Sequence, residues 1–225
     1  MPLLSVIVPV YNEAETIRQI LERINSLPID KEVIVVDDGS SDGTDRILRG
    51  IETNSLKVIH HTSNRGKGAA FLTGLSHAAG EFIVIQDADP EYNPDDYLRL
   101  IEEVRQGRAD IAIGARFLEG HLEPLMHWLG NKLLTGLLNF LFASRLNNYA
   151  SCYKLAARDT WYTLNLRATG FDIDVEIVCN ALKRNKRLSE VPIAYYPRTY
   201  QKFEKIRWRD GLWVIFYIFK YRLVD

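Results

Sequence analysis

Five short apolar runs, each followed by a polar break and, after the first four, a helical segment, constrain this chain more than any other feature. SVIVPV (5–10), EVIVVDD (32–38), LKVIHH (56–61), EFIVIQD (81–87) and ADIAIGAR (109–116) are rich in β-branched residues and apolar on successive positions. A strand buried on both faces needs that pattern, whereas a half-exposed strand alternates. Between the runs, NEAETIRQILERI places Ile17, Ile20, Leu21 and Ile24 on one helical face, and NPDDYLRLIEEVRQG carries a clear helix start. Strand and helix in strict turn predict an α/β fold with a mostly parallel central sheet covered by helices.

In an open parallel sheet, ligands bind outside the carboxyl ends of the strands. Here Pro9, Tyr11, Asn12 and Glu13 follow the first run, and Asp37, Asp38 and Gly39 the second. Asn64, Arg65, Gly66, Lys67 and Gly68 follow the third, Asp87, Asp89 and Glu91 the fourth, and Arg116 ends the fifth. A sheet with only a structural role does not need polar residues at all five ends, so a site is expected along this edge. Asp-x-Asp on a tight bend offers two hard carboxylate oxygens, which suit Mg²⁺ or Mn²⁺ and would relieve the repulsion among the crowded acids. Alone, Asp-x-Asp is equally a helix N-cap, but NPDD just beyond supplies that cap itself. NRGKGAA lacks phosphate-loop spacing and suits either a phosphate, a neighbouring acidic turn or a plain helix start.

Beyond residue 116 the alternation stops. Residues 125–146 and 208–223 read as helices, both unusually apolar; Lys132 interrupts the first, so neither is expected to span a membrane. The second, WRDGLWVIFYIFKYRL, mixes aromatic and apolar positions with basic flanks, as a helix lying in a membrane interface does; packing on the sheet is the other reading, open most of all for the first. Residues 1–115 hold 11 Lys and Arg against 19 Asp and Glu, while residues 116–225 hold 17 against 10. An acidic half fits a cation site, and a basic aromatic half fits a phosphate or an anionic membrane surface. No nucleic-acid partner is expected. Cys152 and Cys179 are too few for a disulfide framework or a zinc site, which favours a reducing compartment, and the first residues lack the pattern of a signal peptide. The tryptophans are read as core or interface anchors, both cysteines as small core residues, and His60 and His61 as solvent-facing. His121 and His127 lie in a segment that could close over a ligand.

The motifs SVIVPVYNE, EVIVVDDGSSDGT, NRGKGAA, QDADPEY, GARF, CYK, GFDIDVEI, EVPIAYYPRTY and IRWRDGL, in that order, resemble family 2 glycosyltransferases of the GT-A fold. Among these the chain is similar to the dolichyl- and polyprenyl-phosphate mannosyl- or glucosyltransferases. The resemblance implies a single domain over residues 1–225, with a nucleotide-sugar half (1–116) and an acceptor half (117–225). It implies that Pro9, Tyr11, Glu13, Val36 and Asp38 hold the nucleotide of a donor such as GDP-mannose or UDP-glucose. Asp87, Ala88, Asp89 and Glu91 would line the metal and diphosphate, with Asp87, Asp89 and Glu91 as ligands. Arg116 and Arg198 would reach phosphate, Lys205 would stand with the nucleotide-binding set, and Glu176 would lie near the sugar. The acceptor would be polyprenyl phosphate, at the cytoplasmic face of a membrane to which the protein binds peripherally.

The chain departs from the family's pattern in its second half. Thr-Asp-Met-Glu-Thr before Cys-Tyr-Lys reads Asn147, Asn148, Tyr149, Ala150 and Ser151, so a usual carboxylate is the neutral Asn148. Asn148 still hydrogen-bonds a sugar but cannot act as a base. Glu204 stands at a customary Lys position, Phe203 at a Gly, and Pro90 at a Leu. An active transferase with a shifted preference, a non-lipid acceptor, and a nucleotide-sugar-binding protein without transfer all fit these changes. A nucleotidyltransferase fits the order of motifs poorly.

Overall fold

A computed structural model describes residues 1–51, 53, 55–116, 125–196 and 208–224, with the side chains of 116, 125–128 and 208–210 excepted. Seven strands form one sheet: β1 (Leu4–Val10), β2 (Lys31–Asp37), β3 (Leu56–His60), β4 (Phe82–Ile85), β5 (Ile111–Arg116), β6 (Lys154–Ala157) and β7 (Leu188–Ile193). Their spatial order is β3-β2-β1-β4-β6-β5-β7. All pairings are parallel except those of β6, which runs antiparallel to both β4 and β5. Helices α1 (Ile17–Ser26), α2 (Thr44–Leu48), α3 (Lys67–Leu75) and α4 (Tyr97–Arg105) connect the first five strands. α5 (Leu125–Phe142), α6 (Arg158–Thr163), α7 (Ile173–Lys183) and α8 (Trp208–Leu223) follow.

All seven residues of β1 are buried, as a central strand covered on both faces requires. β1 outruns β4: Ile7 pairs with Ile85, the last residue of β4, while Pro9 and Val10 continue beside Val36 and Asp37. The Ile7 carbonyl accepts the Gln86 N–H and the Val10 carbonyl accepts the Asp38 N–H, so Ile7 and Pro9 both direct their backbone toward β4. β4 has ended by then, and the N–H that Pro9 lacks costs no ladder bond. β1 therefore extends past the carboxyl end of β4 on the side where the Asp87–Asp89 bend begins.

The five strands expected from the first half are present. β6 and β7 were not expected: β6 is four residues with no alternation, and β7 carries Pro192, which its position at the sheet edge tolerates. The helix expected over 125–146 ends earlier, at Phe142, because Ala143 adopts φ 51° and the Asn139 side chain accepts from Ser144 Oγ and the Leu146 N–H. Trp161 and both cysteines are buried, as expected. α8 packs on α7 and α5, and it leaves Leu212, Trp213, Phe216 and Phe219 exposed. No helix among the described residues is long and apolar enough to cross a membrane.

Candidate active site

The loop after β1 is latched to the loop after β2. Asn12, at φ 55°, donates its N–H to Ser40 Oγ at 3.0 Å and accepts from the Ser41 N–H at 2.8 Å. The Glu13 N–H donates to Thr44 Oγ1 at 3.0 Å and that of Ala14 to Asp42 Oδ2 at 3.0 Å. Thr16 then divides its hydroxyl between Glu13 Oε2 at 2.8 Å and the Ala88 carbonyl at 3.1 Å. The first strand end is thereby tied to the Asp87–Asp89 bend. Pro9 and Val36 are buried ladder partners, and the Tyr11 ring stands in solvent.

Asp37 and Asp38 are both buried and serve the loop after β3. Asp37 accepts from His60 Nδ1 at 3.0 Å and from the Ser40 N–H at 3.0 Å. Asp38 takes His61 Nδ1 at 2.6 Å and the N–H groups of Arg65 and Gly66 at 2.9 and 2.7 Å. His61 Nε2 lies 2.9 Å from Thr73 Oγ1. His60 is exposed, as expected, and bonds Asp37 from there, whereas the same expectation for His61 is corrected: it is nearly enclosed against Asp38.

Past that loop, α3 starts against the segment 168–170. The Gly68 and Ala69 N–H groups donate to the carbonyls of Gly170 and Thr169, at 3.2 and 3.0 Å. A Cβ at Gly68 would fall on the Ala168 carbonyl oxygen, and one at Gly66, where φ is 97°, on that of Thr169. Carbonyls thus hold N–H groups that a phosphate would otherwise use. Of the readings open for NRGKGAA, the helix start and the acidic turn are both observed: α3 begins at Lys67, whose Nζ is 2.9 Å from Asp87 Oδ1 and 3.4 Å from Asp174 Oδ2.

Asp174 also accepts from Lys154 Nζ at 2.6 Å, and that lysine is wholly buried. Burial alone would raise the Asp174 carboxyl, but Lys154 and Lys67 prevail and hold it below the usual carboxylate range. Burial likewise acts to lower Lys67, and Asp174 with Asp87 overcomes it, leaving the ammonium well above its ordinary value. GFDIDVEI supplies three carboxylates to three tasks. Asp172 accepts from Tyr221 Oη of α8 at 2.6 Å, Asp174 holds the lysines, and Glu176 accepts the N–H groups of Arg167 and Ala168 at 2.9 and 2.8 Å. Glu176 is buried, which pushes its carboxyl up against the pull of those two bonds.

Gln86 anchors the bend from below. Its Oε1 accepts from Tyr97 and Tyr153 Oη at 2.5 and 2.6 Å, and its Nε2 donates to the Asp87 carbonyl at 2.9 Å. Asp89 Oδ1 accepts the Glu91 N–H at 3.2 Å, and Glu91 Oε2 takes Tyr195 Oη at 3.2 Å. The donor chemistry fits a hard divalent ion: carboxylate oxygens share one bend, and a cation, Lys67, already stands against Asp87. Among the described residues, no three His, Cys, Asp or Glu side chains converge as a ready-made metal cluster. Asp87 and Asp89 share the bend, whereas Glu91 is engaged by Tyr195.

Asn148 is held elsewhere. Its Oδ1 accepts the Ala150 N–H at 2.8 Å and Asn131 Nδ2 at 3.2 Å, while its own N–H meets Glu190 at 2.8 Å. It caps a turn in the connection from α5 to β6, which Glu190 of β7 holds. Arg116 reaches the edge by its backbone, paired with Ile193. Arg198, Lys205, His121 and the substituted Phe203 and Glu204 lie outside the described residues, as does the His127 side chain. Lys154 and Asp174 were not singled out in the sequence. The signal for Asp174 was the run of acids at alternate positions in GFDIDVEI; a lone lysine opening KLAA gave none.

Comparison with known proteins places this geometry. Residues 5–188 match the Glycosyl transferase family 2 profile. The low-salt glycan biosynthesis hexosyltransferase Agl6 of Haloferax volcanii is 31% identical over 204 residues, covering 88% of this chain and 48% of that protein. The chain thus spans about half the length of that relative. The polyprenol monophosphomannose synthase of Mycolicibacterium smegmatis is 29% identical over 205 residues, covering 86% of this chain and 77% of its own. Among solved structures, glucosyl-3-phosphoglycerate synthase from Mycobacterium tuberculosis, in complex with Mn²⁺, UDP and phosphoglyceric acid, superposes with a TM-score of 0.74 at 20% identity, covering 100% of this chain and 80% of that one. The fold is the GT-A type of α/β architecture, and the chain belongs to glycosyl transferase family 2.

Proposed function

We propose that this protein moves a hexose from a GDP- or UDP-sugar to a polyprenyl or dolichyl phosphate, with Mg²⁺ or Mn²⁺ and with inversion at the anomeric carbon. The observation that carries the reading is the bonded chain along the strand ends. It runs from Glu13 through Thr16 to the Asp87–Asp89 bend, and from there through Lys67 to Asp174. The names of the sequence relatives, polyprenol monophosphomannose synthase and undecaprenyl-phosphate mannosyltransferase, support the acceptor class.

Tyr11, Glu13 and the backbone of Pro9, Val36 and Ala88 line the nucleotide in this reading, and Asp38 acts by fixing the loop after β3. Asp87 and Asp89 hold the divalent ion, with Glu91 beside them. When bound, such an ion stabilises the charge on the departing diphosphate. Arg116, at the end of β5, and Arg198 add positive charge for phosphate groups. A lipid phosphate is already anionic at neutral pH, so the reaction needs cations and alignment in place of a strong general base. That requirement is compatible with the neutral Asn148. Glu176 supports the sugar end indirectly, by fixing the 167–168 backbone against α3.

Peripheral membrane binding through α8 belongs to the same reading. Its exposed Leu212, Trp213, Phe216 and Phe219, with Lys220 and Arg222 in its last turn, suit an anionic lipid surface. The test is a transfer assay with GDP-mannose or UDP-glucose, Mn²⁺ and polyprenyl phosphate, followed by detection of the glycolipid. Glycolipid formed by the wild type and not by Asp89→Ala supports the proposal. Donor binding with no transfer to any phosphate acceptor would favour the non-catalytic alternative.

A further inference from the structure

Lys67 stands where two carboxylates meet, 2.9 Å from Asp87 and 3.4 Å from Asp174. Asp174 holds a second cation, Lys154, at 2.6 Å. Two lysines and two aspartates from four separate segments therefore close one electrically balanced cluster with little exposure. The two lysines differ in freedom. Lys154 is wholly buried and bonds Asp174 and the Ser151 carbonyl, both near its own strand end. Lys67 keeps 15% of its side chain exposed and touches both carboxylates from one position, so a shift toward Asp174 would keep one contact as the other is given up. The α3 N–H groups beside it are committed to Gly170 and Thr169, so its charge is directed to the carboxylates and away from a loop-held phosphate.

A divalent ion on Asp87 would upset the balance. Two cations on one carboxylate, in a partly buried place, repel strongly. Asp174 offers the way out, since its second oxygen is already within reach of Lys67.

The geometry points to Lys67 as a resident counter-cation of the metal site: it sits on Asp87 when no metal is bound and shifts onto Asp174 when a divalent ion arrives. This rests on the reading of Asp87 and Asp89 as metal-holding residues and adds a positioning residue that sets how readily the metal enters. From its place on Asp87, Lys67 keeps that carboxylate aligned and opposes metal binding. A nucleotide diphosphate, bringing negative charge, offsets that opposition, so metal and nucleotide enter together.

The test is titration of the nucleotide-free protein with Mn²⁺, read by the loss of the free-ion paramagnetic resonance signal, for wild type, Lys67→Met and Lys67→Arg. Removing the competing charge should tighten Mn²⁺ binding about tenfold in Lys67→Met, a difference well within what one unit charge at this range supplies. GDP or UDP should then strengthen Mn²⁺ binding less in Lys67→Met than in the wild type. Lys67→Arg, whose planar fork spans both carboxylates, should bind Mn²⁺ more weakly than the wild type, and it decides the matter should Lys67→Met fail to fold. Equal Mn²⁺ affinity in wild type and both variants overturns this inference and leaves the site reading intact. No Mn²⁺ binding by the wild type, even with GDP or UDP present, overturns the site reading and this inference with it.

Discussion

At the scale of single residues, the carboxylates of the candidate site divide by what they hold. Asp38 and Glu176 accept backbone N–H groups and keep loops in place, whereas Asp87 faces a lysine and Asp89 caps its own turn. The two kinds should respond differently to substitution. Glu176→Ala leaves the Arg167 and Ala168 N–H groups without their acceptor and should cost about 2–4 kcal/mol of stability, read as a lowered denaturation midpoint. Asp89→Ala should lower stability much less and abolish Mn²⁺-dependent nucleotide binding; unchanged binding in that variant would refute the metal assignment. The acids themselves were legible in the sequence because they crowd the ends of apolar runs. Their partners were not. His60 and His61 are 23 residues from Asp37 and Asp38, and Asp174 is 107 from Lys67, so only the parallel ladder and the packing of α7 bring them together.

Among the elements, α8 exposes a face of large apolar and aromatic side chains. Its Trp213 and Phe216 rings meet edge to face at 6.0 Å and both stand exposed, while Ile218 and Tyr221 are buried toward the body of the protein. Replacing Trp213 and Phe216 together by Ser should reduce sedimentation with anionic liposomes at least several-fold at low salt, with little loss of fold, because neither side chain belongs to the core. Undiminished sedimentation would place the lipid contact elsewhere. The limits of this helix were readable from its flanks and periodicity, as were β1 to β5 from their β-branched runs. β6 escaped because four residues inserted antiparallel carry no period, and the true end of α5 depended on the Asn139 side chain turning back on residues 144 and 146.

For the molecule as a whole, α7 ties the two halves together. Its first turns connect α8 through Asp172, the strand-end cluster through Asp174, and the α3 approach through Glu176. The departures in the second half bear on the acceptor in this account. Asn148→Asp with Ala150→Glu should change transfer rate or acceptor choice while leaving nucleotide affinity as it was, since Asn148 Oδ1 serves the turn as an acceptor and an Asp oxygen can do the same. No change in rate or acceptor would remove those positions from the acceptor site. The order of motifs along the chain was enough to anticipate the family, whereas Arg198 and Lys205 lie outside the described residues and are tied to the site by resemblance alone.

Calorimetric titration of the purified protein with GDP, UDP, GDP-mannose and UDP-glucose, each with and without Mn²⁺, tests the central claim most directly. One of the nucleotides should bind, Mn²⁺ should strengthen its binding, and Asp89→Ala should remove the metal's contribution. Binding that is indifferent to Mn²⁺, or no binding by any of the four, would contradict the assignment of the strand-end carboxylates as a metal and diphosphate site.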